Sequence, residues 1–139
     1  MMDHVDVEHL DSSQCFQLLK TQEVGRLGVI VEGQPLIFPV NYVFDGHAIV
    51  FKTTIGTKFT HASLDRVVFE VDSLDYVSHT GWSVVIEGVA RDITTAIDNI
   101  SESERHLQFN SWITNEDEHY VRIHINAVSG RRIINVKEN

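Results

Sequence analysis

From residue 25 onward the chain carries a two-residue hydrophobic period broken by tight-turn signals, and that pattern points to antiparallel sheet. GRLGVIVE sets Leu27, Val29 and Val31 on one face, and EGQP supplies a hairpin turn. LIFPVNYVF alternates Leu36, Phe38, Val40, Tyr42 and Phe44 against Ile37, Pro39, Asn41 and Val43. Asp45-Gly46 is a second hairpin signal, and HAIVFKT is a third strand. VVFEVDS (67–73), GWSVVIEGVARDIT (81–94), HYVRIHINAV (119–128) and, after Ser129-Gly130, RRIINV continue the series. Gly88 inside the fifth strand predicts a bend or a barrel corner. The expected fold is mainly β: seven short antiparallel strands forming a β-barrel with flanking helices. A flat sandwich has the same turn pattern and stays open as the alternative.

Helical signals are few. Asp11, Ser12 and Ser13 offer N-caps, and Cys15, Leu18 and Leu19 recur at helical spacing, which predicts a helix over about 12–22. Cys15 is expected to be a buried residue of that helix. Residues 57–65 read as a short second helix. Ala96, Ile100, Ser103 and Leu107 predict a third over 95–108. Residues 1–10 are polar and expected to form a loose tail. No linker or repeat divides the chain, so 1–139 is expected to be one domain.

Composition narrows the function classes. Eleven basic against twenty acidic residues give a net charge of −9, which argues against nucleic-acid binding. The acidic N-terminus has no apolar signal-peptide core, and the apolar runs are too short to span a bilayer, so no membrane association is expected. One cysteine forms no intrachain disulfide and suits a reducing cytoplasm. The eight histidines show no metal-ligand spacing, so no metal is expected. No Gly-x-Ser-x-Gly nucleophile motif occurs.

The most informative stretch is FKTTIGTKFTHA, residues 51–62. A strand ends, hydroxyls gather at Thr53, Thr54 and Thr57, Gly56 permits close backbone approach, and Lys58 stands in the first turn of the expected helix. A helix N-terminus with hydroxyl donors and a cation can hold a phosphate. The P-loop spacing is not met, because only one glycine is present. An ordinary strand-to-helix turn capped by threonines is the structural alternative.

EVGRLGV, GQPLIFPVNYVFDGHAIVFKTTIGTKFTHA, RVVFEVD, GWSVVIEGVAR and the terminal GRRI together resemble the pyridoxamine-5'-phosphate-oxidase-like family, over about residues 12–136. The resemblance implies an FMN-binding split β-barrel, usually a homodimer with flavin at the interface. It implies that Arg26, in the Arg26-Leu27 motif, reaches the FMN phosphate. Pro39, Val40 and Asn41 would lie along the flavin ring. Phe51, Lys52, Thr53 and Thr54 would meet the ring and ribityl chain, and Lys58 would bind the phosphate. Ser83 falls where the oxidases carry a flavin-contacting glutamine, and Arg131 or Arg132 would close the site, Arg132 being the residue assigned.

The resemblance has limits. AVSGRRIINVKEN lacks the Trp- and Arg-rich ending that holds the vitamin phosphate, which puts vitamin B6 oxidation in doubt. Lys52 stands where the nitroimidazole-resistance branch tends to carry histidine. The expected function is therefore FMN binding, with oxidoreductase activity on a small molecule. A non-catalytic flavin carrier or sensor is the alternative. Related split barrels bind deazaflavin or haem; haem would need an axial histidine, for which His61 and His79 are the candidates.

Overall fold

The computed structural model describes residues 3–53, 66–109 and 118–137. The expected helix at 57–65, together with Thr54 and Lys58, lies outside the described residues. The described elements run β1 (Asp3–Leu10), α1 (Ser12–Leu19), β2 (Val24–Val31), β3 (Gln34–Phe44), β4 (Ala48–Thr53), β5 (Arg66–Asp75), β6 (Thr80–Asp92), α2 (Asn99–Arg105) and β7 (His119–Lys137).

The strands form one antiparallel sheet in the order β1-β7-β4-β3-β2-β5-β6, and β6 returns to pair with β7. That last pairing closes a barrel and resolves the choice between barrel and sandwich. Leu27, Val29, Ile49, Phe51, Phe69, Val71, Val84, Ile86, Val121 and Ile123 point inward and are buried. Burial of such side chains contributes about 1.5–3 kcal/mol each, which is why the alternation in the sequence fixes which face of each strand is inside. The β2–β3 turn is Glu32-Gly33, with φ of 51° and 78°. Val31 pairs with Gln34 across it, the left-handed two-residue turn that suits twisted hairpins. The Asp45-Gly46 hairpin forms with a longer loop, because Asp45 Oδ1 accepts from the backbone N–H groups of His47 and Ala48 at 2.8 Å.

Gly88 marks an irregularity, as its position in the sequence predicts. Glu87 pairs with Ala127 and Gly88 with Ile125, so Asn126 is the extra residue of a bulge. A side chain at Gly88 would sit 2.2 Å from the carbonyl oxygen of His124.

Three expectations are corrected. Residues 3–10 are not a loose tail: they form β1, paired with the C-terminal half of β7 from Asp3↔Lys137 to Leu10↔Gly130. Ser129-Gly130 is not a turn either, because β7 runs through it without interruption. Gly130 is needed for space, since a Cβ there would lie 2.6 Å from Cys15 Sγ.

The third correction concerns α2, which begins only at Asn99, N-capped by Asp98. The carbonyls of Ile93 and Ala96 accept from Arg105 at 2.7 Å each and so are satisfied without helix. The inward face of α2 is polar, with Ser101 and Glu104 buried and Ile100 exposed. Arg122 on β7 donates to Glu104 Oε1 at 2.7 Å, so an ion pair docks this helix.

Helix α1 is capped as the sequence suggests. Asp11 and Gln14 form a reciprocal capping box, with bonds of 2.8 and 2.9 Å. The helix packs on β6 and β7, with Cys15 and Leu19 buried and Phe16 stacked on Phe44 at 5.5 Å. Burial raises the Cys15 thiol above its ordinary range, with Asp11 adding to the effect. No described helix is long and apolar enough to cross a membrane.

Candidate functional site

The residues singled out in the sequence divide by the face on which their strands present them. Leu27, Val40 and Phe51 belong to the core, so their backbone alone is available to a ligand. Arg26 and Pro39 are directly paired across β2 and β3 and point outward; Asn41 follows two residues on and is half-buried. Arg26 carries the site's most consequential contact. Its guanidinium lies 3.2 Å from Glu70 Oε1 and 3.2 Å from Asp72 Oδ2 on β5. Its charge is therefore committed within the chain. Glu70 is pushed up to about 7, by burial first and then by Asp72, against the opposing pull of Arg26.

That cluster continues across the wall. Asp72 pairs with Ser83, and Ser83 pairs with Arg131. Directly paired residues share a face, so Arg26, Glu70, Asp72, Ser83 and Arg131 form one polar row on the barrel exterior. Of the two C-terminal arginines, Arg131 shares the face of Ser83. Arg132 lies on the other face, opposite Trp82 and Glu8. An apolar cleft of about 690 Å³ flanks the row, lined by Gly28, Ile30, Pro35, Ile37 and Val68 among others.

The end of β4 is a second locality. Lys52 Nζ lies 5.1 Å from the ring centre of Phe109, 5.7 Å from that of Tyr120 and 3.6 Å from Glu118 Oε2. This aromatic and acidic cage holds the lysine by cation–π and ionic attraction. Thr53 is buried on the opposite face, directly across from His119. His119 Nδ1 is 2.8 Å from Asp92 Oδ2, and Thr94 donates to Asp92 Oδ1 from its backbone N–H at 2.9 Å and its hydroxyl at 2.5 Å. Burial opposes ionisation of Asp92, but the bonds from Thr94 and His119 prevail and hold its carboxyl below the ordinary value.

Sequence reasoning found the strands that carry these groups and missed Glu70, Asp72, Asp92 and His119. Glu70 alternates with core residues in VVFEVDS, and this outward parity was the available signal. Nothing local pairs Asp92 with His119, which are 27 residues apart. Among the described residues no three of His, Cys, Asp and Glu gather closely enough to hold a metal ion.

Comparison with known proteins adds to this geometry. The sequence profile of the family described as pyridoxamine 5'-phosphate oxidase matches residues 11–132. A crystal structure of a Corynebacterium glutamicum protein, described provisionally as a pyridoxamine 5'-phosphate oxidase, is 30% identical with a TM-score of 0.78, covering 91% of this chain and 98% of that one. The structure of the FAD binding protein from Mycobacterium smegmatis is 32% identical with a TM-score of 0.72, covering 90% of this chain and 98% of that one. An uncharacterized Mycobacterium tuberculosis protein, Rv0080, is 29% identical over 135 residues, 93% of this chain and 87% of its own.

Proposed function

The chain belongs to the pyridoxamine 5'-phosphate oxidase family, and from that premise we propose that it binds a flavin, FMN, and uses it as an oxidoreductase on a small molecule. The observation that carries the reading is the 32% identity, over nearly the whole of both chains, with a protein named for FAD binding. FMN is proposed over FAD because the sequence offers one compact phosphate cradle, from Thr53 and Thr54 to Lys58. The described residues fit such a group. Pro39 and Asn41 border the polar row, and the neighbouring cleft has a volume and an apolar lining suited to a planar aromatic ring.

A bound flavin supplies the hydride or electron transfer. The chain's own part is to bind and orient. Lys52, held by Phe109, Tyr120 and Glu118, fixes the end of β4 against the start of β7. Arg26, Glu70 and Asp72 tie β2 to β5 beside the expected ring face. No protein acid or base is obligatory for hydride transfer, so the lack of a nucleophile motif does not weigh against an enzyme.

A homodimer is part of the proposal. Ile30, Ile37 and Val68 on one side of the polar row, and Leu74 and Ile133 on the other, lie exposed on the exterior of β2, β3, β5 and β7, apolar surface that a second copy of the chain would cover. A cytoplasmic location is also proposed, supported by the single, buried thiol of Cys15. Steady-state turnover with NADH or NADPH and an artificial acceptor tests the enzyme reading. Turnover above that of free FMN supports it; none above free FMN leaves a flavin carrier or sensor. Haem is the weaker reading, since His79 stands at the exposed β5–β6 hairpin and His61 lies outside the described residues.

A further inference from the structure

Arg26, Lys52 and Arg122 are committed to carboxylates within the chain. Arg131 is not: it is exposed on the outer face of β7 and makes no ion pair or hydrogen bond among the described residues. On the same wall, Arg26 is one cation set against two carboxyl groups, Glu70 and Asp72. The register separates the two localities by a single strand. Asp72 on β5 pairs with Ser83 on β6, and Ser83 pairs with Arg131 on β7. In the next row outward, Leu74 pairs with Gly81 and Gly81 with Ile133, and both Leu74 and Ile133 are exposed. Gly81 carries no side chain, and a hollow of about 180 Å³ opens there, lined by Val7, Leu74, Ser83, Arg131 and Ile133 among others. In the row on the other side, Glu70 pairs with Val85 and Val85 with Ser129.

We propose, resting on the homodimer reading, that a second copy of the chain docks on this wall about a two-fold axis running along β6 past Ser83, so that Arg131 of each copy meets the partner's Asp72. An isologous contact of this kind has to be self-complementary. The axis exchanges β5 for β7 in every row. Leu74 then meets the partner's Ile133, apolar on apolar, and Glu70 meets the partner's Ser129. Gly81, Ser83 and Val85 lie on the axis itself and carry no charge, so each can face its own copy. Glu87, the next outward residue of β6, marks the rim of the contact. Neighbouring axes fail on charge. One along β5 sets Asp72 against the partner's Asp72, and one along β7 sets Arg131 against the partner's Arg131, like charges face to face. Facing sheets pack about 10 Å apart, within the joint reach of an arginine and an aspartate. The Asp72 carboxylate has acceptor sites beyond the one that meets Arg26.

Sedimentation of the full-length protein over a concentration series measures the dimer dissociation constant. Arg131→Glu is expected to weaken the dimer at least about hundredfold, about tenfold for each of the two symmetry-related contacts. Exchanging the charges, Arg131→Asp together with Asp72→Arg, should recover most of that loss. Asp72 also holds Arg26, so a second measurement leaves the cluster untouched. Ser83→Cys, at the axis, should be joined to its own copy by a short bis-maleimide. Val7→Cys, two strands away on β1, should not be joined. Cys15 is buried and does not compete for the reagent.

An Arg131→Glu dimer of wild-type affinity, a folded charge exchange that stays monomeric, or a dimer in which Ser83→Cys is not joined overturns the inference. The homodimer and the flavin reading then stand, with the contact elsewhere. A wild-type protein that is monomeric throughout the series overturns the inference and the homodimer together. Its flavin content, read from the absorption of the same sample, decides the flavin reading separately.

Discussion

A methyl group at position 130 would sit 2.6 Å from Cys15 Sγ and 3.2 Å from Leu10 Cδ1. Gly130→Ala is therefore expected to destabilise the protein by about 1–3 kcal/mol through overpacking. Cys15→Ala in the same chain should restore much of the loss, and thermal melts of the two single variants and the double variant measure the coupling. The same residue shows how far sequence could be read. Ser-Gly between two alternating segments carries the signal of a turn, and only the approach of α1 reveals that the glycine makes room. Arg26 is a comparable case. Its position in the family motif implies a phosphate contact, whereas its guanidinium meets Glu70 and Asp72, 44 and 46 residues away. Such a pairing depends on strand register, which no local pattern encodes.

Among the elements, the β2–β5 seam has a ladder of three pairs, as short as that of β3–β4, running from Arg26↔Glu70 to Gly28↔Val68. The ion cluster stands at the end of that seam. Glu70 has a folded-state value of about 7 against an ordinary 4.5, so the folded protein holds a proton that the unfolded chain releases between those values. The stability it contributes is fully present below about 4.5 and is lost as pH rises through about 7. Glu70→Gln should remove this loss. Relative to wild type, the variant should gain about 1 kcal/mol between mildly acidic and mildly alkaline pH, a figure reduced for solvent screening because the side chain is one-third exposed. Melting temperatures at the two pH values, compared between variant and wild type, check it; an unchanged difference would show that Glu70 does not titrate in this range.

Strands β2 to β6 were legible because one face of each is core, and a shift of one residue would turn that face outward. Strand β1 was not, since Val5 and Val7 remain exposed and its pairing with β7 supplies what its composition does not. Helix α2 spans Asn99–Arg105 rather than the expected 95–108, and the helical spacing of Ala96, Ile100, Ser103 and Leu107 does not mark its inward face. Docking through Arg122 and Glu104 turned the polar side inward instead.

At the scale of the whole molecule, the polar row and the apolar cleft lie on one exterior wall, and a second copy of the chain is the proposed cover. Ile37 is 73% exposed and Val68 46%. Replacing both with glutamate should convert a dimer to a monomer with little change in melting temperature, as read by light scattering and thermal denaturation. A wild-type protein that is already monomeric at micromolar concentration would remove the dimer from the account. The central proposal is that this chain, a member of the pyridoxamine 5'-phosphate oxidase family with a closed barrel and an apolar cleft on its wall, holds a flavin. The most direct test is the ultraviolet–visible absorption spectrum of the freshly purified protein, followed by the mass of the ligand released on heating. The account predicts flavin bands and the mass of FMN. A colourless protein that also takes up no added FMN or FAD would contradict it.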